Sequence, residues 1–196
     1  MSAQSAPLLT PEQYLEIERA AETKSEYHDG QMYAMSGGTR RHSLLAMNFG
    51  AELRQALKHR QCFVFTSDLR VGAHRRSYMY PDLSVVCGES LVEGAFDDIL
   101  SNPTVLVEVL SKSSEAYDRG FKFNRYRTID SLAEYVLVSQ DEARVQVFKR
   151  QPSGQWLMTD YSGLDSSCRL ESLDCSIPLA EIYERVDFPD PPVNPL

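Results

Sequence analysis

Two acidic residues stand inside apolar runs. Asp82 lies in Tyr80-Pro81-Asp82-Leu83-Ser84-Val85-Val86, and Glu108 in Pro103-Thr104-Val105-Leu106-Val107-Glu108-Val109-Leu110. Both runs are short, rich in Val and Leu, and bounded by Pro, Gly and Ser, which predicts buried strands. A carboxylate buried in such a strand is costly unless it is paired or bound to a cation. Two in neighbouring strands also repel each other. A divalent ion removes both penalties, because a hard cation is held by carboxylate oxygens. The alternative is that each acid sits at a strand end and meets water or an Arg. The two acids together, with the segment that follows them, favour a metal.

That segment is basic and helix-like: Asp118-Arg119-Gly120-Phe121-Lys122-Phe123-Asn124-Arg125-Tyr126-Arg127. Phe121, Arg125 and Asp118 fall on one side at helical spacing, and Lys122 and Tyr126 form an i, i+4 pair. A lysine beside two carboxylates can orient a water or steady negative charge growing on a phosphate. A solvated basic face is the plainer reading of the same run.

The ordered set of short motifs is similar to the PD-(D/E)XK nuclease superfamily, and more closely to the bacterial restriction-endonuclease-like family long catalogued as a domain of unknown function. The matching pieces are Tyr27-His28-Asp29-Gly30, Met35-Ser36-Gly37-Gly38, His42, Tyr80-Pro81-Asp82, Val107-Glu108-Val109-Leu110-Ser111, Asp118-Arg119 with Lys122 and Tyr126, and Glu134-Tyr135. Pro-Asp alone is a weak signal; the ordered set is a strong one. The resemblance implies Mg²⁺ or Mn²⁺ held by Asp82, Glu108 and the backbone carbonyl of Val109, and hydrolysis of a nucleic-acid phosphodiester, with DNA the expected partner. The superfamily pattern Glu-X-Lys reads Glu108-Val109-Leu110 here, so Leu stands at the lysine position. The resemblance moves the lysine to the following helix, at Lys122. Lys112, in a Ser-rich turn, is the nearer rival. Glu26 is a further ligand or water-holder, or else a solvent-facing strand residue. His42 contacts phosphate or positions Glu26, or is structural. Arg125 and Tyr126 are expected at the cleft border, touching substrate. Asp118 is expected to cap its helix. The Leu110 departure keeps a second function open: a catalytically idle nucleic-acid-binding or interaction protein on the same fold.

The elements that must position these residues are legible as patterns. Thr10-Pro11-Glu12-Gln13 opens a helix with a capping box, carrying Tyr14, Leu15 and Ile17 toward the core. Asp29-Gly30 marks a hairpin between Ser25–His28 and Gln31–Met35. A long amphipathic helix runs from Thr39 to about Arg60, with Leu44, Leu45, Ala46, Phe49, Leu53 and Leu57 as its stripe. Residues 61–65, 68–71, 134–139, 144–150 and 156–161 read as strands, residues 88–102 as an acidic exposed loop, and 179–185 as a short helix. The fold class is α/β or α+β around a mixed sheet. The resemblance narrows it to the restriction-endonuclease-like fold: a central mixed β-sheet flanked by helices, with an N-terminal hairpin. One domain is expected over 1–196, with a core of about 10–185 and a Pro-rich tail at 186–196.

Composition bounds the rest. With 196 residues, 42% hydrophobic and 24% charged, the chain has the make-up of a soluble globular protein. No apolar run approaches a bilayer span, and the N-terminus lacks the regions of a signal peptide, so a cytoplasmic protein without membrane contact is expected. The four cysteines lack zinc spacing and are expected as free thiols. A net charge of −8 argues against indiscriminate nucleic-acid binding, though basic residues cluster locally. A two-fold homodimer is the expected assembly. No phosphate-binding Gly loop or Ser-His-Asp order points to another enzyme class.

Overall fold

The computed structural model describes residues 8–74 and 76–188. In chain order the elements are α1 (Pro11–Ala20), β1 (Ser25–His28), β2 (Gln31–Ala34), α2 (Arg40–Ala56), β3 (Cys62–Thr66), β4 (Arg70–Ala73), β5 (Ser77–Met79), β6 (Leu83–Cys87), β7 (Val92–Glu93), β8 (Ile99–Leu100) and β9 (Val105–Val109). There follow α3 (Glu115–Tyr117), a π-helical turn (Asp118–Lys122), α4 (Phe123–Tyr126), β10 (Glu134–Val138), β11 (Arg144–Arg150), β12 (Trp156–Ser162), β13 (Ser167–Leu170), β14 (Cys175–Pro178) and α5 (Leu179–Ile182).

Local chemistry sets the first elements. Thr10 and Gln13 close the capping box of α1, with Pro11 at its first position. Asp29 (φ 44°) and Gly30 (φ 97°) both adopt the left-handed backbone that a two-residue hairpin turn requires. Tyr14 is buried as expected, against the rings of Tyr27 and Tyr78. Ile17 is instead 46% exposed, and Glu18 turns inward. The Glu18 carboxylate accepts from the Ser25 amide (3.0 Å) and the Tyr80 hydroxyl (2.9 Å), so hydrogen bonds to buried donors outweigh the apolar pattern.

The central sheet has the order β12-β11-β10-β9-β6-β3. It is mixed: β9 runs parallel to β10 and antiparallel to β6. On one face lies α2, whose Leu45, Phe49 and Leu53 pack with Val85, Val107 and Val136. Burying each such side chain is worth about 1.5–3 kcal/mol. Leu106, Leu110, Tyr126 and Tyr135 form the core of the other face. A second sheet, β2-β1-β5-β4-β8-β7, grows from the N-terminal hairpin. The acidic segment expected as a loop supplies two of its strands, β7 and β8. Asp98, just before β8, meets Arg19 (2.8 Å) and Arg70 (3.3 Å). The β13–β14 pair had no alternating run long enough to be read in advance. The tail expected at 186–196 lies mostly outside the described residues. Among the described residues no helix is long and apolar enough to cross a membrane.

The cysteine expectation is corrected for two residues. Cys62 and Cys87 face each other across β3 and β6 and form a disulfide. Sequence separation concealed this, because only the strand register brings them opposite. Cys168 and Cys175 are buried free thiols, and burial pushes the Cys168 thiol up to about 12. Glu134 is fully buried and serves as an anchor: its carboxylate accepts from the amides of Glu171 (2.9 Å) and Ser172 (3.2 Å).

Two outcomes follow for the folded chain. Without reductant, a thiol-reactive dye should find no fast-reacting group in the native protein, and the two free thiols only in denaturant. A count of four in denaturant would remove the disulfide. Glu134→Ala should lower stability in urea unfolding by about 1–3 kcal/mol, because buried amides lose their acceptor; an unchanged midpoint would contradict the anchor.

Candidate active site

The strand register brings the acids together. Leu83 pairs with Val107 in the antiparallel β6–β9 ladder. Continuing that register by one step sets Asp82 beside Glu108, on the same face. Asp82 lies just before β6, where its carboxylate Oδ2 accepts the Val109 amide at 2.7 Å. A strand residue points its N–H and C=O to the same edge, so the carbonyl of Val109 faces Asp82 as well.

Glu108 is 3% exposed. Its Oε1 accepts from the Lys122 ammonium at 3.0 Å and from the Tyr126 hydroxyl at 3.2 Å. Lys122 Nζ also lies 3.2 Å from Glu26 Oε1 and 3.6 Å from Asp118 Oδ1. Glu26 comes from β1, Glu108 from β9, and Asp118 and Lys122 from the π turn. His42, in the first turn of α2, places Nε2 3.2 Å from Asp82 Oδ2.

The electrostatics follow from burial and crowding. Burial pushes the Glu108 carboxyl up, and Asp118, Asp82 and Glu26 push it further, against the pull of Lys122. Burial opposes the charge on Lys122, but Glu108, Glu26 and Asp118 outweigh it and hold the ammonium protonated. Asp118 is raised by burial, with Lys122 opposing. Burial would raise Glu26 too, yet His28, Lys122, the Tyr117 hydroxyl and the Tyr80 amide hold it down to about 2. The hydrogen bond to Asp82 raises His42 despite burial.

Several expected residues converge, and others do not. Asp82, Glu108, Val109, Lys122, Glu26 and His42 all line one cleft of about 1200 Å³. Lys112 lies outside it. Tyr126 is fully buried beneath Glu108 rather than at the cleft border, so its hydroxyl supports the carboxylate. Arg125 is drawn away, bonded to Asp29 and stacked over Phe121 at 5.1 Å. Asp118 ends α3 as its C-terminal cap position, and its carboxylate faces Lys122.

Two partners of the cluster escaped the sequence reading. The Tyr117 hydroxyl donates to Glu26 Oε2 at 2.7 Å and also meets His28 Nε2. Tyr117 precedes Lys122 by five residues, a spacing that no α-helical face matches; the π turn supplies the extra residue. His28 follows Glu26 by two residues on β1, so the alternation of a strand was a usable signal.

The donor set suits a hard cation. Carboxylates of Asp82 and Glu108 and the Val109 carbonyl are all oxygen ligands, and a cation would offset the crowding of Glu108 by Asp118, Asp82 and Glu26. Among the described residues no three His, Cys, Asp or Glu side chains form a ready metal cage. Magnesium keeps several waters and takes few protein ligands, so two carboxylates and a carbonyl are enough.

The chain is similar to known proteins. Two relatives from Synechocystis sp., named "Uncharacterized protein slr1290" and "Uncharacterized protein sll1609", are each 34% identical to it. The first alignment covers 93% of this chain and 95% of the relative, the second 83% and 93%. A solved structure from Anabaena variabilis, titled a "putative nuclease belonging to DUF820", superposes with a TM-score of 0.74. That match is 19% identical and covers 89% of this chain and 97% of that one, so it shows the fold, a restriction-endonuclease-like one. The family model described as "Putative restriction endonuclease" matches residues 11–180, a span that holds every residue of the carboxylate and lysine cluster, and the chain belongs to that family.

Proposed function

We propose that the chain is a metal-dependent nuclease that hydrolyses phosphodiester bonds of nucleic acid, DNA foremost, with Lys122 in the role that the superfamily gives to a strand lysine. One observation carries the reading: the Lys122 ammonium, on the π turn, lies 3.0 Å from Glu108 on β9. Family membership and the shared fold support a nuclease-like function.

Asp82, Glu108 and the Val109 carbonyl would hold Mg²⁺ or Mn²⁺. Such an ion, when bound, neutralises phosphate charge and makes a water more acidic. The rest falls to the chain. Lys122 holds the attacking water or the phosphate oxygen on which negative charge grows. Glu26, fixed by Tyr117 and the Tyr80 amide, keeps Lys122 in place and can hold the water. Tyr126 fixes the Glu108 carboxylate from below. His42 fixes Asp82 and lines the cleft.

The idle-protein alternative drew its motive from Leu110. That side chain is 5% exposed and packs in the core with Leu106 and Tyr135. A lysine there would stand in an apolar layer, and Lys122 brings an ammonium to Glu108 from the π turn. The Leu110 departure therefore does not by itself argue against a working site.

Mn²⁺ should raise the melting temperature of the wild type and leave that of Asp82→Asn unmoved; equal shifts in both would dismiss Asp82 as a ligand. With Mn²⁺ and plasmid or single-stranded DNA, Lys122→Met should cut kcat by about a hundredfold or more while circular dichroism and the Mn²⁺ shift persist. Full cleavage by Lys122→Met would reject its role, and a wild type inert on every nucleic acid would reject the nuclease.

A further inference from the structure

Beside the carboxylate cluster the cleft continues into a second pocket of about 590 Å³. Its wall carries Arg40, Arg41, Lys112 and Arg185. Thr39, Ser111, Ser113 and Gln140 line both spaces, so the two form one continuous depression. At the junction the Thr39 hydroxyl donates to Gln140 Oε1 at 2.9 Å.

The pocket has a cationic surplus in a chain of net charge −8. Its acids are Glu115, Asp141 and Asp187. Glu115 is taken by Arg119 at 2.6 Å and Arg185 by Glu184 at 3.4 Å, both partners lying outside the pocket lining, which leaves Arg40, Arg41 and Lys112 against Asp141 and Asp187. Arg41 and Asp141 stand 3.8 Å apart, and Arg40 and Asp187 3.1 Å apart with both side chains over 80% exposed. Such exposed pairs are worth at most about 1 kcal/mol and exchange readily for a better anion. Lys112 is exposed and forms no ion pair among the described residues.

The sequence also bears a local cost here. Arg40, Arg41 and His42 fill the first turn of α2, which contains no acidic residue. Cations at the positive end of a helix dipole are unfavourable, and an anion seated among them offsets that cost. Arginine side chains provide the paired donors that grip phosphate oxygens.

We propose that this pocket is a subsite for a phosphate of the strand flanking the bond that the carboxylate cluster attacks, its ligand class being the phosphodiester backbone of nucleic acid. The inference rests on the nuclease reading and deepens it: the strand leaves the cluster past Thr39 and Gln140 and seats its next phosphates against Arg41 and Lys112. It also explains why an acidic protein needs no broad basic face, since its phosphate contacts are local.

The test is binding of a labelled single-stranded oligonucleotide, followed by fluorescence anisotropy across a salt series with Ca²⁺ in place of Mg²⁺. The proteins are the wild type, Lys112→Gln with Arg41→Gln, and Lys58→Glu, an exposed control that makes the same change in net charge. The double variant should bind at least about tenfold more weakly at low salt. Its slope of log affinity on log salt should be shallower by about 0.7 for each phosphate that the variant no longer neutralises. With Mn²⁺, KM should rise while kcat holds. An unchanged slope, or an equal loss in Lys58→Glu, would overturn the subsite alone. A wild type that binds with the expected slopes yet cleaves nothing would reject the nuclease reading and keep the subsite. A wild type that binds no nucleic acid would overturn both.

Discussion

One buried ammonium organises this molecule. Lys122 has a 7% exposed side chain and is held by Glu26, Glu108 and Asp118, each 5% exposed or less. None of these charges could be buried alone, because the loss of hydration is too large. Three separate parts of the chain must therefore meet: the hairpin that carries Glu26, the central strand that carries Glu108, and the π turn that carries Asp118 and Lys122. The second sheet is needed for this, since it fixes β1 against β5 and so sets Glu26 over the end of the central sheet.

Such a cluster is a weak source of stability. Well-packed apolar residues of similar volume often serve a fold as well as a buried ion pair or better. The stability resides elsewhere, in the α2 face of the sheet and in the Leu106, Tyr126 and Tyr135 layer. The charges concentrate instead at one strand end, where Asp82 adds a further carboxylate and His42 reaches it from the opposite helix. A rigid apolar frame thus holds several carboxylates close together, with Lys122 as the ammonium between three of them.

The π turn sets a lysine beside Glu108 even though the strand position two residues further on holds leucine. In the superfamily pattern the lysine stands two residues after the glutamate, on the same face of the strand. Here Leu110 takes that place and seals the core. The π turn brings the Lys122 ammonium to the carboxylate of Glu108 instead. Its one extra residue per turn also lets Tyr117 and Lys122 both reach Glu26.

Sequence alone determined what depends on neighbours in the chain. The capping box of Thr10 and Gln13, the Asp29-Gly30 turn, the stripe of α2 and the apolar runs around Asp82 and Glu108 are short-range signals, and each formed as its pattern dictates. The acids in those runs marked the site, because a carboxylate amid Val and Leu violates the local rule. What the tertiary structure decided depends on register and packing. Cys62 meets Cys87 only once β3 pairs with β6. Glu18 takes the inward place expected of Ile17 only once Ser25 and Tyr80 offer donors. Tyr126 became a support beneath Glu108, and Arg125 turned to Asp29, because the π turn rotates the residues that follow it. A side chain's direction at such a point is set by which long-range contacts are lowest in free energy, and no periodicity in the chain encodes that.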